Sequence, residues 1–244
     1  MNFVLCYLNL TMHPIICQIG PFTIFSYGLA LAAAFIISVF LASEQARRNN
    51  IDPNIIYNIS FIGFIFGIAG ARIFYVLSNI GYYSKNIQEV FMLAHGGLSV
   101  FGGLILGIAA AVAYLKIKKL SVYLVFDTLM PFLALGQAIG RIGCLLNGCC
   151  YGATVIPVQI YASFSLLVVF MLLRFIQDRP HALGTVFYAY LFFYSFERFS
   201  IEFLRSDNPR ILFSLTLFQL LCIPVFIISL IWLVSRCEKK NENV

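Results

Sequence analysis

The sequence predicts an all-α integral membrane protein with seven spanning helices, the N-terminus outside and the C-terminus in the cytoplasm. Three observations carry this. First, 61% of the 244 residues are hydrophobic and only 11% are charged, against about 25% charged in ordinary soluble domains. Second, apolar runs near the ~20 residues needed to cross a bilayer recur along the chain. Third, Lys and Arg fall unevenly on alternate loops, as they do when cytoplasmic loops collect positive charge.

The first span is expected over 22–43, followed by Arg47 and Arg48. The second is expected over 54–77, with Arg72 deep in its second half. A polar stretch, 78–95, precedes a Gly- and Ala-rich third span over 96–115, capped by Lys116, Lys118 and Lys119. The fourth runs over 122–139; Pro131 and Gly136 mark it as a candidate broken or re-entrant helix, with a glycine-rich loop following. The fifth spans 158–175 and the sixth 183–203, the latter containing Glu197, Arg198 and Glu202. The seventh spans 211–235, and residues 236–244 form a cytoplasmic tail. The chain reads as one polytopic domain, 1–244, with a minimal outer head. Met12 offers a second start, which would make residues 1–11 an extension.

One set of loops holds Arg47, Arg48, Lys116, Lys118, Lys119, Arg174, Arg179, Arg236, Lys239 and Lys240, ten of the 16 Lys and Arg. That set is cytoplasmic by charge bias. The net charge of +6 therefore belongs to membrane topology and does not imply a nucleic-acid partner. The seven cysteines are odd in number and lack C-x-x-C spacing, which supports neither a disulfide framework nor a metal site. No internal repeat at 20–50 residue spacing is apparent, which weakens an inverted-repeat transporter.

The opposite side holds Arg72, Lys85, Arg141, Arg198, Arg205 and Arg210. Cations within spans are costly and are retained for a task or an ion pair. Arg141 lies in Gly136-Gln-Ala-Ile-Gly140-Arg141-Ile-Gly143-Cys144-Leu-Leu-Asn147-Gly148. A guanidinium among glycines describes an anion pocket at a membrane surface, and phosphate suits its planar fork. Tyr194, Arg198 and Glu202 repeat at i, i+4 and i+8, so they share one helical stripe. That seam serves either a site or helix–helix hydrogen bonding. Glu197, Glu202, Asp207 and Asp127 are the acids available to pair with the arginines. Two Gly-Gly pairs at 96–97 and 102–103 allow close backbone approach to a ligand or a neighbouring helix. His95 beside them is the candidate base. Cys144, Cys149 and Cys150 read as small fillers or as thiols activated by Arg141.

The order of these motifs resembles one family. Met12-His-Pro, Ile19-Gly-Pro, Tyr27-Gly28, Gly70-Ala-Arg72, Gly96-Gly-Leu-Ser and Gly102-Gly103 come first. Gly140-Arg141-Ile-Gly with Asn147-Gly, Pro157-Val-Gln-Ile-Tyr161, Arg198-Phe-Ser-Ile-Glu202-Phe-Leu-Arg205 and Phe218-Gln-Leu follow. From Met12 to about Ser235 the chain resembles the bacterial prolipoprotein diacylglyceryl transferases. The resemblance implies an enzyme of the cytoplasmic (inner) membrane, its site toward the outer leaflet. It would move the diacylglyceryl group of phosphatidylglycerol to the lipobox cysteine of a preprolipoprotein signal peptide, releasing glycerol phosphate without a cofactor. It implies Arg141 on the phosphate and Arg198 at the headgroup or leaving group. Tyr27, Asn147, Tyr194 and Glu202 would shape the site, with Arg72, Gly102 and Gly103 also at the substrate.

The chain departs from the family pattern at Phe101, where a His is usual, and at Cys144, Cys149 and Ala162. Only residues 153–156 separate Gly152 from Pro157, where members usually insert an outer segment. Two further readings follow from these departures: a phosphatidylglycerol-dependent transferase with another acceptor, and a non-catalytic lipid-binding or transport protein on the same scaffold.

Overall fold

The computed structural model describes residues 15–19, 22–92, 96–149, 157–205, 210–212 and 214–241. In chain order it comprises β1 (Ile15–Ile19), β2 (Phe22–Phe25), α1 (Ser26–Arg48), α2 (Pro53–Ser78), α3 (Ile80–Tyr83), a 3₁₀ turn (Ile87–Phe91), α4 (Val100–Ile117), α5 (Val122–Asn147), α6 (Val158–Gln177), α7 (Thr185–Glu202), β3 (Arg210–Leu212), β4 (Leu215–Thr216) and α8 (Leu217–Asn241). Both strand pairs are antiparallel hairpins, and each leads directly into a long helix.

Among the described residues, six helices are long and apolar enough to cross a membrane: α1, α2, α4, α5, α6 and α8 over Leu217–Arg236. The seventh expected span, α7, has the length but carries Glu197, Arg198 and Glu202 within its 18 residues. Large apolar side chains project outward along the helices, among them Ile36 at 66% exposed, Phe164 at 69% and Met171 at 65%. Such a surface is untenable in water and suits lipid. The chain is a multi-pass membrane protein.

The expected start of the first span, 22–25, is the second strand of an antiparallel pair instead, and residues 211–212 and 215–216 of the expected seventh span lie in strands β3 and β4. Short apolar runs satisfy strand and helix alike, and periodicity alone does not separate them.

The chain divides into two compact units, Met1–Ala42 with Phe126–Val244, and Ser43–Val125. In the smaller unit α2 and α4 pack antiparallel through glycine. A Cβ on Gly70 would lie 2.4 Å from the Gly102 carbonyl, and one on Gly103 would lie 3.0 Å from the Gly67 carbonyl. Small residues let membrane helices approach until their backbones touch. The Ser99 N–H donates to the Ala71 carbonyl at 2.9 Å, and its hydroxyl caps α4 through the Gly102 N–H.

In the larger unit α5 runs unbroken from Val122 to Asn147, with Pro131 inside it. Proline removes the N–H that would reach the carbonyl four residues back. That carbonyl belongs to Asp127, and it accepts a hydrogen bond from Gln177 Nε2 on α6 at 2.8 Å. A neighbouring side chain thus supplies the missing donor, and the expected break does not occur. The glycines 136–143 are helical too. A Cβ on Gly136 would meet Ser38 Oγ at 2.7 Å, and one on Gly143 would meet the Ala30 Cβ at 2.7 Å. These glycines seat α1 against α5, and in this stretch the left-handed backbone is confined to Gly148, φ 68°.

α7 and α8 pack antiparallel through Tyr188 on Trp232, centroids 4.2 Å apart, and Phe192 on Phe226, 4.6 Å apart. The buried Asp127 carboxylate accepts from the Gly184 N–H at 2.6 Å and the Phe187 N–H at 2.8 Å. It thereby satisfies otherwise unpaired donors at the start of α7, where the helix dipole favours an anion.

Candidate functional site

The last two turns of α7 bury three charged side chains, Glu197, Arg198 and Glu202. Arg198 and Glu202, one turn apart, make an ion pair with Nη2 3.1 Å from Oε2, their side chains 8% and 0% exposed. Arg205 Nε lies 3.9 Å from the same oxygen. The other Glu202 oxygen accepts from the Thr216 hydroxyl at 2.9 Å. Thr216 and Gln219 cap α8 reciprocally: the Gln219 N–H donates to the Thr216 hydroxyl at 3.4 Å, and the Thr216 N–H donates to Gln219 Oε1 at 3.0 Å. This is a capping box, Thr-x-x-Gln, at a helix N-terminus. The cap thus fixes Glu202, and Glu202 in turn orients Arg198. The Phe218 ring, 4.7 Å from the Arg198 Cζ, provides a face for the cation.

One Arg198 nitrogen, Nη1, is buried without a hydrogen-bond partner among the described residues, as is Glu197 Oε2. Glu197 is 6% exposed, and its other oxygen accepts from the Ser165 hydroxyl on α6 at 3.1 Å. A buried guanidinium donor left unmade costs on the order of 1–3 kcal/mol, more for a charged group. Such groups mark a strained or unfilled position.

Arg141 projects from the C-terminal part of α5 and is partly exposed. No described side chain or carbonyl holds its guanidinium in a hydrogen bond or ion pair. It lies within electrostatic reach of Tyr194 and Glu197, and Arg198 reaches the same two residues. Tyr194 stacks on Tyr190 with centroids 5.5 Å apart, and Tyr190 donates to Gln137 Oε1 on α5 at 3.1 Å. The fold therefore brings Arg141, Tyr194, Glu197, Arg198 and Glu202 together from two helices. Asn147 is exposed at the end of α5, and Tyr27 is 40% exposed on α1, one van der Waals layer from Gly143. Cys149 donates weakly to the Cys144 carbonyl, Sγ to O 3.7 Å; Cys150 lies outside the described residues.

Arg72, Gly102 and Gly103 lie in the smaller unit, and each is engaged there. All five N–H donors of Arg72 meet backbone carbonyls: Nε to Val90 at 2.9 Å, Nη1 to Gly96 at 2.6 Å and Gly97 at 2.9 Å, and Nη2 to Glu89 at 2.5 Å and Met92 at 3.2 Å. Its donors are spent on the segment between α3 and α4. Gly102 and Gly103 are covered by α2, as described above. Nearby, the Tyr82 hydroxyl donates to Glu89 Oε2 at 2.9 Å, and that carboxylate holds the phenol proton above its usual range. His95 and Asp207 lie outside the described residues.

Sequence reasoning missed Thr216, Ser165 and the orphan oxygen of Glu197. Thr216 was findable, because a capping-box spacing opens the last apolar run. Ser165 was not, because nothing in a serine within an apolar helix announces its partner.

These features define a class: a polytopic membrane protein with two arginines and two carboxylates gathered inside a helical unit. A family model for prolipoprotein diacylglyceryl transferase matches residues 14–235. A phosphatidylglycerol–prolipoprotein diacylglyceryl transferase of Streptococcus pyogenes serotype M3 is 31% identical over 94% of this chain and 97% of its own length. Proteins of the same name from serotype M5 (strain Manfredo) and serotype M49 (strain NZ131) are each 30% identical over the same shares. The chain belongs to the prolipoprotein diacylglyceryl transferase family and is a membrane transferase.

Proposed function

We propose that this protein transfers the diacylglyceryl group of phosphatidylglycerol to the thiol of a lipobox cysteine in a preprolipoprotein signal peptide. The observation that carries the reading is the pair of guanidiniums at the α5–α7 cluster. Arg141 is held by no described group, and Arg198 keeps one buried donor unused while the rest of its side chain is fixed.

In the reaction the cysteine sulfur forms a bond to the glyceryl carbon as that carbon's bond to the phosphate oxygen breaks. The electron pair leaves with the oxygen, and glycerol phosphate departs. The thiol proton passes through a base to water. Arg141 grips the phosphate, and Arg198 Nη1 meets the charge that grows on the leaving oxygens. Fixed donors in a site shielded from water stabilise such charge without reorganising, about 3–4 kcal/mol for each. Tyr27, Asn147, Tyr194 and Glu202 shape the site, Glu202 through Arg198. Arg72, Gly102 and Gly103, in the smaller unit, are read as substrate-binding residues. His95 is the candidate base.

The same reading has α7 as a seventh span, its polar seam facing protein, and the whole chain acting as one membrane domain. With the Lys- and Arg-rich loops inside, the N-terminus is outside and the site opens to the outer leaflet of a bacterial cytoplasmic membrane.

The test is direct. Detergent-purified protein is incubated with phosphatidylglycerol and a lipobox peptide, and glycerol phosphate and peptide mass are followed. Equimolar glycerol phosphate and diacylglyceryl peptide support the reading; an unmodified peptide rejects it. A diacylglyceryl adduct on the protein itself would assign the acceptor to one of its own cysteines.

A further inference from the structure

The larger unit carries a second buried polar atom that the transfer chemistry leaves unused. Glu197 Oε2 has no hydrogen-bond partner among the described residues, although the residue is 6% exposed. Its sister oxygen is fixed by Ser165 Oγ at 3.1 Å, so the carboxylate cannot turn away without breaking that bond. The nearby cations do not neutralise it by contact. Arg198 gives its ion pair to Glu202 at 3.1 Å, and Arg141 makes no ion pair with any described acid. Both nevertheless lie within electrostatic reach of Glu197. The cluster therefore presents unused donors and one unused acceptor around Tyr194.

A carboxyl oxygen buried without a hydrogen bond is costly unless something donates to it. A phosphate cannot be that partner, because it offers acceptors where a donor is required. A headgroup that combines an anion with hydroxyl donors a few bonds away satisfies both demands at once. Phosphoglycerol has this composition: the phosphodiester suits the arginines, and the head glycerol carries two hydroxyls.

We infer that Glu197 Oε2 accepts a hydroxyl of the lipid's head glycerol and so selects polyol-headed phospholipids as donors. This rests on the transfer proposed above and names the group that chooses its lipid. Discrimination comes from the partner denied: a lipid without head hydroxyls leaves the buried carboxylate unpaired, which is how polar sites reject analogues lacking a hydroxyl.

The experiment compares two donors of identical acyl chains, phosphatidylglycerol and phosphatidyl-1-propanol, with the full-length protein and a lipobox peptide. The second lipid keeps the phosphodiester and the three-carbon head but lacks both head hydroxyls. For the wild-type protein kcat/KM should favour phosphatidylglycerol by about tenfold to a hundredfold, the range for a hydrogen bond to a charged group. In Glu197→Leu, which fills similar volume without an acceptor, that ratio should fall to near one. Equal use of both donors by the wild-type protein overturns the inference while leaving the transferase reading intact. So does an unchanged ratio in Glu197→Leu, which would reduce Glu197 to a packing role. Glu197→Ala serves the same comparison if the leucine variant does not purify as a folded protein. Transfer from neither lipid by the wild-type protein rejects the transferase reading itself, and this inference with it.

Discussion

Glu202 Oε2 lies 3.1 Å from Arg198 Nη2 while Glu202 Oε1 accepts from Thr216 at 2.9 Å. One carboxylate therefore links a catalytic candidate on α7 to the cap of α8. Removing one partner of a buried ion pair strands the other, at a cost of about 3–5 kcal/mol. Glu202→Ala should lower the thermal unfolding temperature and depress transfer together. Arg198→Lys should keep much of the stability yet lose transfer, because a single ammonium cannot serve Glu202 and a phosphate with a planar fork. Equal activity of Arg198→Lys and the wild-type protein would remove the bidentate argument.

Arg141 differs in having no described partner to strand. Arg141→Ala should leave thermal stability within about 0.5 kcal/mol of the wild-type protein, the usual range for a site without such partners. Transfer should fall by about 10²–10³, as for loss of one fixed charge-stabilising donor. The check is a pair of measurements on one preparation, a melting curve and initial rates of glycerol phosphate release. Wild-type rates would exclude Arg141 from the reaction.

Arg72 makes the opposite prediction. Its five donors tie down carbonyls of residues 89, 90, 92, 96 and 97. Arg72→Ala should open the segment between α3 and α4, seen as faster amide hydrogen exchange over residues 85–99. Any loss of transfer should follow from that loosening. A variant with full activity loss and unchanged exchange would return Arg72 to direct substrate contact.

Glycine at 102 is required by distance. A Cβ there would sit 2.4 Å from the Gly70 carbonyl and 2.4 Å from the Phe74 Cβ. Gly102→Ala must force α2 and α4 apart, at about 1–3 kcal/mol for overpacking. Gly28→Ala, where no atom lies within 4 Å, is the control and should melt as the wild-type protein does.

The cap on α8 and the site share one hydroxyl, that of Thr216. Thr216→Ser keeps both the hydroxyl that caps and the hydroxyl that reaches Glu202, and should be silent. Thr216→Val keeps the shape and loses both bonds. It should cost about 1 kcal/mol through the cap alone, with further loss because a buried carboxylate oxygen loses its donor. Melting temperatures of the two variants decide this.

Most of the architecture was legible along the chain. Apolar length and the bias of Lys and Arg depend only on local composition, so the helices of 53–78, 158–177 and 185–202 fall within a few residues of expectation. The stripe of Tyr194, Arg198 and Glu202 was legible because helical period fixes which side chains share a face. Pro131 and the glycines of 136–143 misled for one reason. Their meaning depends on what stands opposite: Gln177 repairs the proline's missing donor, and α1 fills the space the glycines leave. Sequence by itself thus determined the membrane class, the long apolar helices and the polar seam, because these follow from length, composition and period. Only tertiary structure decided which arginine is spent and which is available. Arg72 and Arg141 look alike in the chain, and they part because five carbonyls fold around one guanidinium while no described group holds the other.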